Sequence, residues 1–203
     1  NYYEHSIDWS PKGDEILFVS NRGPDPDRFF NYDIFAVQVA TGTVRRVTDT
    51  KSAEYYPKWS PDGRLIAFSG TKRPLTSSET TMEDTHVWVV AADGSGRREV
   101  GTIDNRQGAP EWSRDGQHLY FTMQDRGMVR LMRMPQAGGN PERLVAERGS
   151  VGSWALAADG TVAFAFTSAT SPAELWLRAP SGNALRTQYT AWRRYRPILS
   201  ISA

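Results

Sequence analysis

Runs of three apolar residues recur along the chain, each at a fixed distance after a glycine. Ile16-Leu17-Phe18 follows Gly13, Ile66-Ala67-Phe68 follows Gly63, and Leu119-Tyr120-Phe121 follows Gly116; Val162-Ala163-Phe164 stands one residue closer to Gly160. A strand with one wet face alternates apolar and polar residues, so three apolar positions in a row predict a strand covered on both faces. A second apolar segment follows in each unit: Ile34-Phe35-Ala36-Val37, Val87-Trp88-Val89-Val90, Leu131-Met132-Arg133-Met134 and Leu175-Trp176-Leu177. Each then meets a turn signal at Thr41-Gly42, Asp93-Gly94, Gly138-Gly139 or Ser181-Gly182, and a more polar strand such as Val44-Arg45-Arg46-Val47 closes the unit.

The glycines belong to a repeated motif. Trp9-Ser10-Pro11-Lys12-Gly13 returns as Trp59-Ser60-Pro61-Asp62-Gly63 and Trp112-Ser113-Arg114-Asp115-Gly116, with a weaker copy at Leu156-Ala157-Ala158-Asp159-Gly160. The spacings are 50, 53 and 44 residues. Each glycine is read as ending a two-residue hairpin turn. Four strands per unit at this period describe an all-β propeller: four blades of four antiparallel strands, part of a larger ring of seven or eight. The blades are placed at about 5–50, 54–102, 107–147 and 151–188 within a propeller region 1–190, with a basic tail over 191–203 that carries Arg193, Arg194 and Arg196. No segment shows a capped helical period.

Composition narrows the chemistry. A formal net charge of +1 over 203 residues gives no field for a nucleic acid or a membrane surface. The absence of cysteine removes disulfides and thiolate chemistry. No apolar run is long enough to span a bilayer. The chain opens on Asn1 without a signal-peptide pattern, which is read as loss of the natural start. A cytoplasmic location is favoured, with the periplasm as the alternative.

Most chemically suggestive residues fit architecture better than catalysis. The residues before the repeat glycines are turn formers. Trp9, Trp59 and Trp112 occupy equivalent places and are expected to fill the core between blades, as are Trp88 and Trp176. His5, His86 and His118 lack metal-ligand spacing, so no metal site and no cofactor is expected. No Gly-x-Ser-x-Gly elbow, phosphate loop or dinucleotide fingerprint occurs, so no catalytic residue is assigned. The loops from Asn21 to Asn31 and from Thr71 to Thr85 have the length of functional loops.

The Trp-Ser-Pro-Asp-Gly-x-x-Ile-Ala-Phe pattern resembles the propeller repeat shared by Tol-type translocation proteins and the prolyl oligopeptidase family. Thr167-Ser168-Ala169-Thr170-Ser171-Pro172-Ala173-Glu174-Leu175-Trp176 is similar to the final-blade stretch of acylaminoacyl-peptidase and dipeptidyl-aminopeptidase relatives. The loop Ser20 to Arg28, leading into Asn31-Tyr32-Asp33-Ile34-Phe35, resembles the same subgroup. The likeness covers about residues 5–185.

That resemblance implies the substrate-gating propeller of a serine peptidase acting on short peptides, partnered by an α/β-hydrolase domain that this sequence does not contain. It makes Asn21, Arg22, Asp25, Asp27 and Arg28 the substrate-gating candidates. The alternative is a Tol-like platform for protein–protein interaction; a propeller glycosidase or lyase is a third reading. If the ring is cut from seven or eight blades, oligomerisation through the exposed terminal blades, or contact with another chain, is expected for the isolated fragment, because an end blade has no neighbour to cover it.

Overall fold

The structure, a computed structural model, describes residues 4–23, 25–26, 30–75, 84–182 and 184–187. The described residues form sixteen strands and no helix. The first sheet holds β1 (Glu4–Trp9), β2 (Glu15–Ser20), β3 (Asp33–Gln38) and β4 (Val44–Arg46); the second holds β5 (Glu54–Trp59), β6 (Leu65–Thr71), β7 (Thr85–Ala91) and β8 (Arg98–Glu99). The third holds β9 (Glu111–Trp112), β10 (His118–Asp125), β11 (Met128–Pro135) and β12 (Glu142–Arg143); the fourth holds β13 (Ser150–Leu156), β14 (Val162–Ser168), β15 (Ser171–Arg178) and β16 (Ala184–Arg186). Within each sheet the strands pair antiparallel in chain order. This is a β-propeller fold of four blades. The end of the expected fourth blade, 188–190, and the expected basic tail, 191–203, lie outside the described residues.

The apolar triplets explain how the blades stack. Phe68, Phe121 and Phe164, the last residue of each later triplet, point to the preceding blade, whereas Leu17, Ala67 and Tyr120 point to the following one. Three cores result. Leu17, Val19, Ile34 and Ala36 of the first blade meet Trp59, Ile66 and Phe68 of the second. Ala67, Val87 and Val89 meet Trp112, Leu119 and Phe121. Tyr120 and Leu131 meet Val151, Val162 and Phe164. Burying each of these phenylalanines contributes about 2 kcal/mol.

Two expectations need correction. Trp59 and Trp112 are buried between blades, but Trp9 is 55% exposed. It occupies the first blade's preceding face, where the described residues supply no sheet to pack against. The repeat turns are also longer than two residues. Ser10, Ser60 and Ser113 each accept a bond from the amide three residues on, at Gly13, Gly63 and Gly116 (2.9 Å), while their own amides reach Glu15, Leu65 and His118. Only the glycine has positive φ, so each loop is a four-residue connection built around a type I turn. The fourth copy is one residue shorter, closing from Ala157 to Thr161.

The meander sorts the connections onto two rims. One rim carries the repeat turns and the β3–β4 type of turn. The other carries the β2–β3 type of connection together with the crossings from one blade to the next, because each first strand starts there and each second strand ends there. The second rim is uneven in sequence: 12 residues separate β2 from β3 and 13 separate β6 from β7, but only two separate β10 from β11 and β14 from β15.

Candidate functional site

The loop singled out from sequence lies on this second rim. Asn21 is buried: its side-chain amide donates to the Pro26 carbonyl (2.9 Å) and its Oδ1 faces the Gly23 amide (3.4 Å), which holds the loop's own shape. Arg22 pairs with Glu4 at 3.1 Å, and its guanidinium lies 5.2 Å from the Phe18 ring centre and 5.0 Å from that of Phe35. Arg97 repeats this arrangement one blade on, 5.7 Å from Phe68 and 3.8 Å from Trp88. Arg22 thus covers an aromatic pair of the blade-facing type. Asp25 is exposed on the rim, and Asp27 and Arg28 lie outside the described residues.

Beside this loop an aromatic cluster crosses the first two blades. His5 meets Tyr32 edge-on at 5.3 Å and stacks on Tyr55 at 6.1 Å; Tyr55 also contacts Tyr32 at 5.7 Å and Tyr56 at 6.3 Å. His5 and Tyr55 occupy equivalent repeat positions at the start of their first strands. Both strands shift register directly afterwards, with Ser6 at φ 56° and Tyr56 at φ 53°. This bulge turns Tyr56 outward, where it is more than half exposed. Burial lowers the His5 pKa and pushes the Tyr55 phenol up to about 12, so both rings are neutral at pH 7.

The third and fourth blades have Gly108 and Gly152 where His5 and Tyr55 stand. The aromatic wall therefore ends at the second blade and borders a cleft of about 310 Å³. Tyr55 and Tyr56 form one side, Gly108 and Ala109 the other, with Thr71, Thr85 and Gln107 among the polar lining and Arg106 at the edge. Gln107 is fixed: its Oε1 accepts the Val87 amide (2.9 Å) and its Nε2 donates to the Ile103 carbonyl (3.1 Å). A neutral aromatic face over fixed polar groups suits binding of an extended, partly apolar segment.

The buried titratable groups are committed to the joints between and within blades. Asp33 pairs with Arg46 and accepts the Thr50 amide (2.9 Å); burial raises its pKa against those partners. Asp8 accepts the Trp59 amide from the next blade (2.9 Å), and burial likewise raises it. His86 Nδ1 bonds Glu99. Glu54 is fully buried, bonded by Thr48 and by Arg97 Nε (3.1 Å), with burial pushing it up to about 7. His5 Nδ1 lies 2.8 Å from Ser6 Oγ, a contact between chain neighbours. Among the described residues no group of three histidine, aspartate or glutamate side chains converges as metal ligands would.

Sequence reasoning selected the rim but missed its aromatic wall. A signal was present in His5 and Tyr55 at one repeat position, followed by Gly108 and Gly152 at the same position in later copies.

No protein-family model matches the chain. It is 28% identical over 144 residues to the uncharacterized protein Atu1656 of Agrobacterium fabrum, covering 67% of this chain and 44% of that protein. It is 34% identical over 115 residues to the Tol-Pal system protein TolB of Alcanivorax borkumensis, covering 54% of this chain and 23% of that protein. It is 24% identical over 115 residues to the uncharacterized peptidase YuxL of Bacillus subtilis, covering 57% of this chain and 16% of that protein. The chain thus matches less than half the length of each of these relatives.

Among solved structures, TolB of Acinetobacter baumannii superposes with a TM-score of 0.67 at 18% identity, over 91% of this chain and 43% of that one. A puromycin-hydrolyzing peptidase of Mycobacterium tuberculosis superposes with a TM-score of 0.70 at 18% identity, over 93% of this chain and 31% of that one. The chain is a β-propeller of the kind shared by Tol-type proteins and peptidases.

Proposed function

We propose that this chain is a non-catalytic propeller portion of a serine peptidase that acts on short peptides, of the acylaminoacyl-peptidase or dipeptidyl-aminopeptidase type. In this reading the second rim faces the peptide, and a separate α/β-hydrolase domain supplies the nucleophile, base and acid. The observation that carries it is the deployment of titratable groups: Asp8, Asp33, Glu54 and the His86–Glu99 pair are spent on joints of the fold. The rim instead offers neutral aromatic surface at Tyr55 and Tyr56. Such a wall would admit extended peptides and exclude folded chains, shielding the reaction from bulk water. The likeness to YuxL and to the mycobacterial peptidase supports this reading.

The test is an assay of the purified 203-residue chain on aminoacyl and dipeptidyl chromogenic substrates, together with equilibrium binding of a short aromatic peptide. The expected result is no turnover, with peptide binding that weakens about tenfold on Tyr55→Ala and Tyr56→Ala substitution, as loss of about 1.4 kcal/mol of ring contact would give. Turnover by the chain alone overturns it.

The 34% identity with TolB favours a second reading, a platform for protein partners. A coding sequence that continues in frame to a Gly-x-Ser-x-Gly elbow supports the peptidase reading; a stable protein partner captured on the rim, with no such elbow encoded, supports the platform.

A further inference from the structure

Where the β10–β11 and β14–β15 connections shrink to two residues, the second rim opens into two adjoining clefts of about 440 Å³ each, which share Met128 and Arg148. One is strongly basic. Arg126, Arg130, Arg143 and Arg148 line it against the single lining carboxylate of Asp125. The other is lined by Ser150, Thr167, Ser168 and Thr170, together with backbone of Gly127 and Gly149. This juxtaposition falls between the third and fourth blades, beyond the end of the aromatic wall.

The four arginines divide into two pairs. Arg143 is fixed: its Nε donates to the Val145 carbonyl (2.6 Å) and its Nη2 to those of Ala146 (2.7 Å) and Glu147 (2.9 Å). Arg130 is 7% exposed and reaches the Glu147 and Gly149 carbonyls only at 3.5 and 3.4 Å. Its buried Nε makes no hydrogen bond; its ion pair with Asp125 Oδ2 is long, at 3.5 Å. A buried guanidinium held only by contacts of 3.4 to 3.5 Å at the edge of a cleft keeps donor capacity for a closer acceptor.

Arg126 and Arg148 are exposed; Arg126 approaches Asp125 no closer than 3.9 Å, and Arg148 has no hydrogen bond or ion pair among the described residues. Glu147, the other carboxylate of this segment, keeps its Oε2 buried and does not line the cleft. Guanidinium groups outnumber carboxylates here, and their forked donors match a planar oxyanion.

We propose that this groove binds a carboxylate-bearing peptide, the carboxylate seated among Arg126, Arg130 and Arg148 and the adjoining backbone passing the hydroxyl-lined cleft. The inference rests on the reading of this rim as peptide-facing and adds a preference for acidic segments. Arg143 shapes the crossing from β12 to β13, Arg130 supplies the buried donor, and the two exposed arginines supply attraction that salt screens.

The test uses the full 203-residue chain and a fluorescent, end-capped glutamate-glycine hexapeptide, with its glutamine counterpart as control. Tenfold or greater preference for the glutamate peptide is expected, with binding weakening between about 50 and about 200 mM salt, over which the screening length falls about twofold. The Arg126→Ala/Arg148→Ala double variant should lose about tenfold in affinity with little change in thermal midpoint, since Arg148 has no ion-pair partner among the described residues and Arg126 makes only an exposed ion pair with its chain neighbour Asp125 at 3.9 Å. Arg130→Lys, which keeps charge but removes the forked donor, should lose several-fold; should it fail to fold, the double variant carries the test.

A glutamine peptide with a free C-terminus shows that a chain-end carboxylate serves as well if it binds as the capped glutamate peptide does, and that side-chain carboxylates are required if it does not. Equal affinity for the two capped peptides, an unaffected double variant, or inorganic phosphate binding at the arginines without peptide binding overturns the proposal. If the neutral aromatic peptide still binds the Tyr55–Tyr56 cleft in that event, only the acidic preference falls; if no peptide binds, the reading of the rim falls with it.

Discussion

Glu54 joins three parts of the first interface between blades. Thr48 Oγ1 accepts the Ile34 amide (2.9 Å) and donates to Glu54, while Arg97, stacked on Trp88, donates to the same carboxylate. Burial outweighs both partners and moves the carboxyl from 4.5 to about 7. The folded pKa therefore lies above the unfolded one, so the folded state binds the proton more tightly. Its stabilising contribution is complete below pH 4.5, is lost as pH rises toward 7 and is flat above that, a change of about 3 kcal/mol. Glu54→Gln, which resembles the protonated form, should remove most of this decline. Thermal or urea unfolding between pH 4.5 and 8 measures it as the difference between wild type and variant, because Asp8 and Asp33, raised in the same direction, remain in both. Sequence gave no hint of this carboxylate, since Glu54 stands in no motif and only the stacking of two sheets buries it. The turn aspartates were legible, with one exchange of roles. Ser60 and Ser113 bond Asp62 and Asp115, but Lys12 fills that place in the first copy, and Ser10 bonds Asp14 instead at 2.7 Å.

Equivalent turns need not be equally tolerant. Gly42 and Gly94 sit in the third-to-fourth-strand turns of successive blades, both at positive φ. A Cβ on Gly42 would meet nothing within 4 Å, whereas one on Gly94 would fall 2.4 Å from the Val47 carbonyl oxygen of the preceding blade. The same joint holds Arg45, which bonds Glu15 through two nitrogens at 2.9 Å and the Ala92 carbonyl at 2.7 Å. Gly42→Ala should cost about 1 kcal/mol, the strain of a left-handed alanine. Gly94→Ala adds a backbone clash and should cost about 3 kcal/mol. Equilibrium denaturation of the two variants checks the contrast; equal losses would mean that the blades do not approach this closely. The strands themselves were readable because apolar triplets have one explanation, cover on both faces. The turn length was not, because a type I turn ending in glycine and a two-residue turn draw on the same Asp-Gly pair. The placement of Asn21 was also beyond sequence reach: a loop asparagine reads as a contact residue until its partners, here Pro26 and Gly23, are seen.

Each joint among the described residues mates two kinds of face, the following face of one blade and the preceding face of the next, and among those residues each kind is left over once. The first blade's preceding face presents Trp9 beside the Phe18–Phe35 pair, whose rings stack at 5.6 Å. The fourth blade's following face presents Leu175 and Leu177, 43% and 42% exposed at the positions that Ile34 and Ala36, Val87 and Val89 fill in buried joints. Faces of these two kinds mate three times among the described residues, so in the isolated 203-residue chain the fourth blade of one copy would be able to cover the first blade of another. The contact is heterologous: two copies can close on each other, and more can extend the array. Self-association of the 203-residue chain should therefore rise with concentration in light scattering. Leu177→Asp should shift it toward monomer, because the charge enters only the joint between copies, and near-unchanged unfolding of the monomeric variant should confirm that the three internal joints are intact. A monomer at high concentration for the wild-type chain, or a Leu177→Asp variant that associates as before, would show that these faces do not mate between copies.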